Sequence, residues 1–177
     1  MRRPRQQLRG LFLCQTLSEA CLLPNFARST TCFRMTTAHR VTDLRDLDAA
    51  FTIREQVFVG EQGVPLDLEY DEHDRHDARH YLARLADGTP AGAARWRETD
   101  KGIKLERFAV LPGFRNQQVG AALLQAVLAD VLQEFPAAPV YLNAQVGAVR
   151  FYERHGFHKV GEMFVEADIQ HYKMVLE

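Results

Sequence analysis

FAVLPGFRNQQVGAAL, from Phe108 to Leu123, joins a strand-like stretch to a helix through a tight loop. Pro112 and Gly113 stop the strand. Beyond them Val119, Leu123, Val127 and Val131 recur at helical spacing, which draws one apolar stripe along a helix over about 117–134. Such a helix start leaves four backbone N–H groups without partners and carries the positive end of the helix dipole. An anion such as a pyrophosphate fits there, with Arg115 beside it. A plain β–α connection with a surface arginine accounts for the same residues.

Upstream, 103–110 alternates as a strand, and a period of two puts Lys104, Glu106, Phe108 and Val110 on one face. Two further strands, 81–86 and 91–97, flank the turn Asp87-Gly88-Thr89-Pro90 as a hairpin, with Trp96 in the core or at a subunit contact. Earlier still, a short strand over 38–42 leads to Asp43. That residue is an N-cap for a helix carrying Leu44, Leu47, Phe51 and Val57, broken at 60–65. Residues 67–80 are polar and acidic and read as a solvated loop with one helical turn. Downstream, Pro136 and Pro139 stop the long helix and 140–143 is a strand. A helix over 147–155 is closed by Gly156, and 159–165 with 172–176 form a last antiparallel pair. The order is β, α, loop, three strands, α, β, α, β, β. It specifies an α/β fold: one domain, a mixed and mostly antiparallel sheet flanked by helices.

The 177 residues are 46% hydrophobic and 25% charged, which suits one globular core. No apolar run approaches the ~18–20 residues of a membrane span. The formal charge of −1 hides an asymmetry. Residues 1–34 hold six arginines and one acid, leaving a net −6 over 35–177, so affinity of that body for nucleic-acid phosphates is not expected. Cys14, Cys21 and Cys32 all fall in 1–34, which excludes a disulfide framework or cysteine zinc site in the body. Residues 1–34 lack periodicity and read as an unstructured extension outside the fold. Three accounts fit them: sequence upstream of a start at Met35, a disordered tail, or an Arg-rich mitochondrial targeting segment.

A second informative segment is AVRFYERHGF, Ala148 to Phe157. Phe151 is a core residue in any reading; taken alone, Tyr152 is most simply a packed aromatic. In order and spacing, the two segments together resemble the GNAT family of acyl-CoA-dependent N-acetyltransferases. Its pyrophosphate loop, Arg/Gln-x-x-Gly-x-Gly/Ala, is matched by RNQQVG from Arg115 to Gly120, and its Phe-Tyr box by Ala148 to Phe157. IREQVFVGEQGVP (Ile53 to Pro65) and FVEADIQH (Phe164 to His171) look like the ElaA-like bacterial branch. The resemblance covers about 38–177. One position departs from it: Gln118 stands where the family's first loop glycine stands. A glutamine keeps that turn only with negative φ or by tolerating strain, and its side chain crowds the phosphates.

The resemblance implies direct acetyl transfer from acetyl-CoA to a small-molecule primary amine, with both bound together, no metal, no membrane, a cytoplasmic setting, and room for a homodimer. Backbone at Phe108, Ala109 and Val110 would hold the pantetheine. The N–H groups from Gln117 through Gln118, Val119 and Gly120 to Ala121 would hold the pyrophosphate, with Arg115 and Gln145 also toward the cofactor. Tyr152 is the expected general acid for the leaving thiolate, since a phenol is protonated at neutral pH. Glu106 is the expected general base, its pKa raised by modest desolvation; an ion pair with Lys104 or Arg107 is the alternative. Arg54, Glu61, Glu69 and Asp71 would border the acceptor. Three other readings remain open at this point. One is a non-catalytic acyl-CoA-binding module, which Gln118 favours. Another is an acyl-homoserine-lactone synthase-like enzyme, to which Arg54 and Phe58 match loosely. The third is a His73/His76/His80 metal site. His155 and His171 read as surface, capping or site residues alike.

Overall fold

The computed structural model describes residues 36–177. The extension expected over residues 1–34, with its cysteines, lies outside the described residues. The chain runs β1 (Thr36–Arg40), α1 (Leu44–Arg54), a π-helical stretch (Glu55–Glu61), α2 (Leu66–Glu69), α3 (His73–His76), β2 (Arg79–Leu85), β3 (Pro90–Thr99) and β4 (Gly102–Val110). It continues through α4 (Val119–Glu134), β5 (Val140–Gln145), α5 (Val149–Glu153), β6 (Phe157–Glu166) and β7 (Ile169–Leu176). The expected order is all present. Asp43 caps α1 by accepting from the Asp46 N–H at 2.9 Å, and Gly156 takes φ +86 where α5 ends.

One seven-stranded sheet, ordered β1-β2-β3-β4-β5-β7-β6, organises these residues. Every neighbouring pair is antiparallel except β4–β5. Helix α4 covers one face, and its stripe (Val119, Leu123, Val127, Val131) is buried with Trp96, Leu105, Leu142 and Met174. Helix α1 covers the other face, where Ala50, Ile53 and Val57 meet Leu82, Ala93 and Ala109. Trp96 is fully buried and donates its indole N–H to Tyr81 Oη at 3.2 Å.

Two irregularities open the sheet. The β4–β5 ladder holds only at Ile103–Val140, Lys104–Tyr141 and Leu105–Leu142, although both strands run further. Beyond it β4 carries a bulge, because Arg95 pairs with Glu106 while Ala93 pairs with Ala109. Arg107, with φ +56, is the extra residue. The bulge corrects the strict alternation read from the sequence. Lys104 and Glu106 share the face of Arg95, whereas Phe108 and Val110 pack on the α4 side. The strand bends there, and β4 leaves β5 with a gap between them.

The second irregularity lies in the first helix. Instead of breaking at Gly60, the chain continues as a π-helical stretch to Glu61, with Gln62 N–H donating to the Val57 carbonyl at 3.1 Å. The wider turn places Gln62 over the gap, where its side chain and that of Gln145 exchange hydrogen bonds, the shorter 2.8 Å.

Candidate active site

Two clefts meet at the gap. The first, about 710 Å³, lies on the α4 side between β4, the start of α4 and α5. Of the residues expected to hold a cofactor, Phe108, Val110, Arg115, Gln118, Val119, Gly120, Ala121 and Gln145 line it. Ala109 does not, because the bulge turns its side chain into the α1 cluster. Gln117 does not either; its side-chain amide donates to the Gly113 carbonyl at 2.8 Å. The second cleft, about 440 Å³, lies on the opposite side, among Glu69, Lys104, Glu106, Arg107, Asn143, Glu166 and His171. Gln62, Phe108, Gln145, Ala148 and Tyr152 line both.

Among the described residues, the start of α4 leaves three backbone donors unpaired. Ala122 N–H is the first to close a turn, onto the Gln118 carbonyl at 2.9 Å, so the N–H groups of Val119, Gly120 and Ala121 have no intrahelical partner. No described side chain caps them. Gln118 takes the left-handed conformation, φ +66, so of the two alternatives read from the sequence it is the strained one that occurs. That costs about 1–2 kcal/mol in a residue with a Cβ.

Tyr152 is 7% exposed, held edge-on by Phe151, Phe108 and Phe157. Among the described residues none bonds its hydroxyl. Burial pushes the phenol above its ordinary pKa, so the group stays protonated well past neutrality.

The family model of the acetyltransferase (GNAT) domain matches residues 49–177. The chain belongs to the GNAT acetyltransferases. It is similar to the uncharacterized N-acetyltransferase YjcF of Bacillus subtilis, 40% identical over 131 residues, 73% of this chain and 91% of that one. Protein ElaA of Escherichia coli is 32% identical over 142 residues, covering 78% and 92%. The crystal structure of ElaA superposes with a TM-score of 0.70 at 29% identity, over 81% of this chain and 99% of the other. An acyl-CoA N-acyltransferase from Pseudomonas aeruginosa gives the same TM-score, identity and coverage. The family expected from the first two segments, and the ElaA-like branch expected from 53–65 and 164–171, are therefore those found.

Within this GNAT fold, several site assignments made from sequence need correction. Arg54, expected at the acceptor, is 0% exposed and cannot reach a substrate. Its guanidinium donates to Glu69 at 2.5 Å and to both Asp74 oxygens at 2.6 and 3.0 Å. Asp71 lies outside both clefts, its carboxylate held by Arg95. Glu61 borders neither; it forms a two-pronged ion pair with Arg115, so the guanidinium expected at the pyrophosphate already has a carboxylate partner. Glu69 does line the acceptor-side cleft, but buried and paired with Arg54 and Arg107. The acidic 69–77 segment is thus not a solvated loop, since Glu69 and Asp74 point inward onto buried arginines. Among the described residues no group of His, Cys, Asp and Glu side chains converges as a metal site requires.

Glu106 departs from expectation in its titration. Burial alone would raise its pKa, but Arg95, Lys104 and Arg97, all within 3.0 Å, outweigh that and hold it below the ordinary carboxylate value. Of the two partners foreseen, Lys104 pairs with it, while Arg107 turns instead to Glu69 and Asp71; Arg95 and Arg97 come from the neighbouring strand, and only the register shows them. Gln62, Asn143 and Glu166 were not assigned to the site from sequence, and a site role for His171 was one of several open readings; all four line the acceptor-side cleft. For His171 the signal lies in the pairing of β7 with β5, which sets it opposite Gln145.

Proposed function

We propose that this protein transfers the acetyl group of acetyl-CoA directly to a primary amine of a small molecule, both substrates being bound at once. One observation carries the reading: the two clefts meet from opposite sides of the gap, and Tyr152 lines both. The first cleft suits a phosphate-bearing thioester, with three free N–H groups at the start of α4. The second has the size of a small-molecule site. A cytoplasmic setting, where acetyl-CoA is made and used, goes with this reading.

Acetyl-CoA supplies the activated acyl group. The N–H groups of Val119, Gly120 and Ala121 hold the pyrophosphate. Phe108 and Val110 form one wall of the channel to the gap, and the free edge of β4 offers backbone groups beside it. Gln62 and Gln145 stand at the crossing and part from each other to hydrogen-bond the substrates. Tyr152 donates its proton to the departing sulfur. The proton of the ammonium has two takers facing the second cleft. One is Glu106, directly or through a water, which its three cations make a weak base. The other is considered below.

Calorimetry with acetyl-CoA, followed by thiol release on a panel of primary amines, tests the proposal. Micromolar binding and amine-dependent thiol release are expected. Binding without thiol release would identify a sensor of acyl-CoA, and no binding by the folded chain would end the reading.

Two loop variants test the cofactor cleft. A Cβ added at Gly120 would meet Phe151 at 3.6 Å, an ordinary contact, so the protein itself has room for it. Gly120→Ala is expected to stabilise the fold by up to ~1 kcal/mol through helix propensity. The family pattern admits alanine at this position, so acetyl-CoA binding should change by less than about threefold. Thermal melts and calorimetry on one sample read both, and a tenfold loss of binding would show that the cofactor needs the space. Gln118→Gly removes a left-handed residue with a Cβ and a side chain that lines the cleft. Acetyl-CoA is expected to bind it severalfold more tightly, with a melting temperature no lower than wild type; weaker binding would show that the glutamine contacts the cofactor productively.

A further inference from the structure

Glu106 is not the group best placed to accept the amine's proton. The acceptor-side cleft holds six other titratable side chains: Glu69, Lys104, Arg107, Tyr152, Glu166 and His171. Glu69 and Arg107 pair with each other at 3.2 Å, Glu69 also with Arg54, and Lys104 is spent on Glu106 at 3.0 Å. Tyr152 is held protonated by burial. Glu166, at the exposed end of β6, accepts from Asn143 at 3.2 Å.

His171 differs from all of these. It sits on β7, 9% exposed, its ring stacked on Phe164 with centroids 5.8 Å apart. Its Nδ1 lies 2.8 Å from the Ile169 carbonyl oxygen. A carbonyl only accepts, so Nδ1 carries the proton and the neutral ring is left with a lone pair on Nε2. No described side chain bonds Nε2, and His171 lines the acceptor-side cleft. Stacking and the carbonyl bond fix both the ring plane and the tautomer, as a base requires an orienting third group.

We infer that His171 is the general base of the acceptor site, its Nε2 taking a proton from the substrate ammonium. This rests on the acetyltransferase reading above. The ammonium gives up two protons as the N–C bond forms and the C–S bond breaks. His171 takes the first and passes it to solvent. The second replaces the proton that Tyr152 gives to sulfur, so one proton is released per turnover. Glu106, fixed by three cations, acts as a positioning carboxylate beside the ammonium.

Two measurements on the full chain test this. Long-range nitrogen–proton correlation spectra of histidine-labelled protein, with His171 identified by its loss in His171→Gln, read the tautomer without any substrate. A protonated Nδ1 and bare Nε2 at pH 8 are expected, and a proton on neutral Nε2 overturns the assignment. Thiol release from acetyl-CoA with tyramine, spermidine or ethanolamine then reads the pH profile. His171→Gln is expected to lose about 100-fold or more in kcat, within the span of general base catalysis, and to lose the limb that rises with pH. Glu106→Gln keeps that limb. If Glu106→Gln abolishes it and His171→Gln does not, Glu106 is the base and the inference fails. Should wild type bind no acetyl-CoA and release no thiol, the acetyltransferase reading fails instead, and the inferred role falls with it whatever the tautomer.

Discussion

Asp74→Asn is expected to cost about 3–5 kcal/mol of folding stability, the usual penalty for removing one member of a buried ion pair. Asp74 is 6% exposed and accepts from both Arg54 and Arg95, which are 0% and 1% exposed. An asparagine of the same shape leaves two buried guanidiniums short of one negative charge. Glu69, Asp71 and Glu106 remain as partners, which keeps the loss near the lower end. Urea denaturation of the variant measures it, with Asp77→Asn as control. The Asp77 side chain is half exposed and, among the described residues, bonds only His73, so the change should alter stability by less than ~0.5 kcal/mol. A loss below 1 kcal/mol for Asp74→Asn would mean that the network is redundant.

The same carboxylate predicts acid sensitivity. Burial would raise the Asp74 pKa, but the hydrogen bonds and charges of Arg54 and Arg95 dominate and hold it well below the ordinary range. Its folded pKa is lower than its unfolded one, so the unfolded chain binds more protons. The stabilisation is therefore complete above the unfolded value near ~4 and drains away as pH falls below it. Wild type should lose stability steeply below about pH 4, and Asp74→Asn less steeply, in denaturation series from pH 7 to 3.

This network also marks the limit of what could be read in advance. Element order, the α4 stripe, the Asp43 cap and the strand–loop–helix turn over 108–123 all follow from local rules: periodicity, capping chemistry and turn residues act within a few positions. Arg54, Glu69, Asp74, Arg95 and Glu106 lie as much as 52 positions apart, and nothing local tells an arginine that will be buried from one that will be solvated. Arg54 and Asp71 therefore looked like substrate contacts, and the acidic segment like a charged surface. The Arg107 bulge was equally hidden, because strict alternation is the default for a strand and arginine gives no sign of a positive φ. That one residue moved Phe108 to the opposite face from Glu106. It also opens the gap through which the two clefts meet, so the least legible feature of β4 shapes the site more than any motif.

Tyr152→Phe is expected to lower kcat about 100- to 1000-fold while leaving acetyl-CoA affinity within about twofold and stability unchanged or slightly raised. The hydroxyl bonds no described residue, so its removal leaves no protein donor or acceptor stranded, and burial of the ring among Phe108, Phe151 and Phe157 is retained. The three readouts separate chemistry from binding and from folding. Because burial keeps the phenol protonated, wild type should show no loss of the acid between pH 6 and 9, and the defect should be the same across that range. An unchanged kcat over pH 6–9 would remove Tyr152 from the mechanism and leave the thiolate to depart unprotonated. A large kcat loss with intact binding would place the proton donor at Tyr152, which lines both clefts, whichever group proves to be the base.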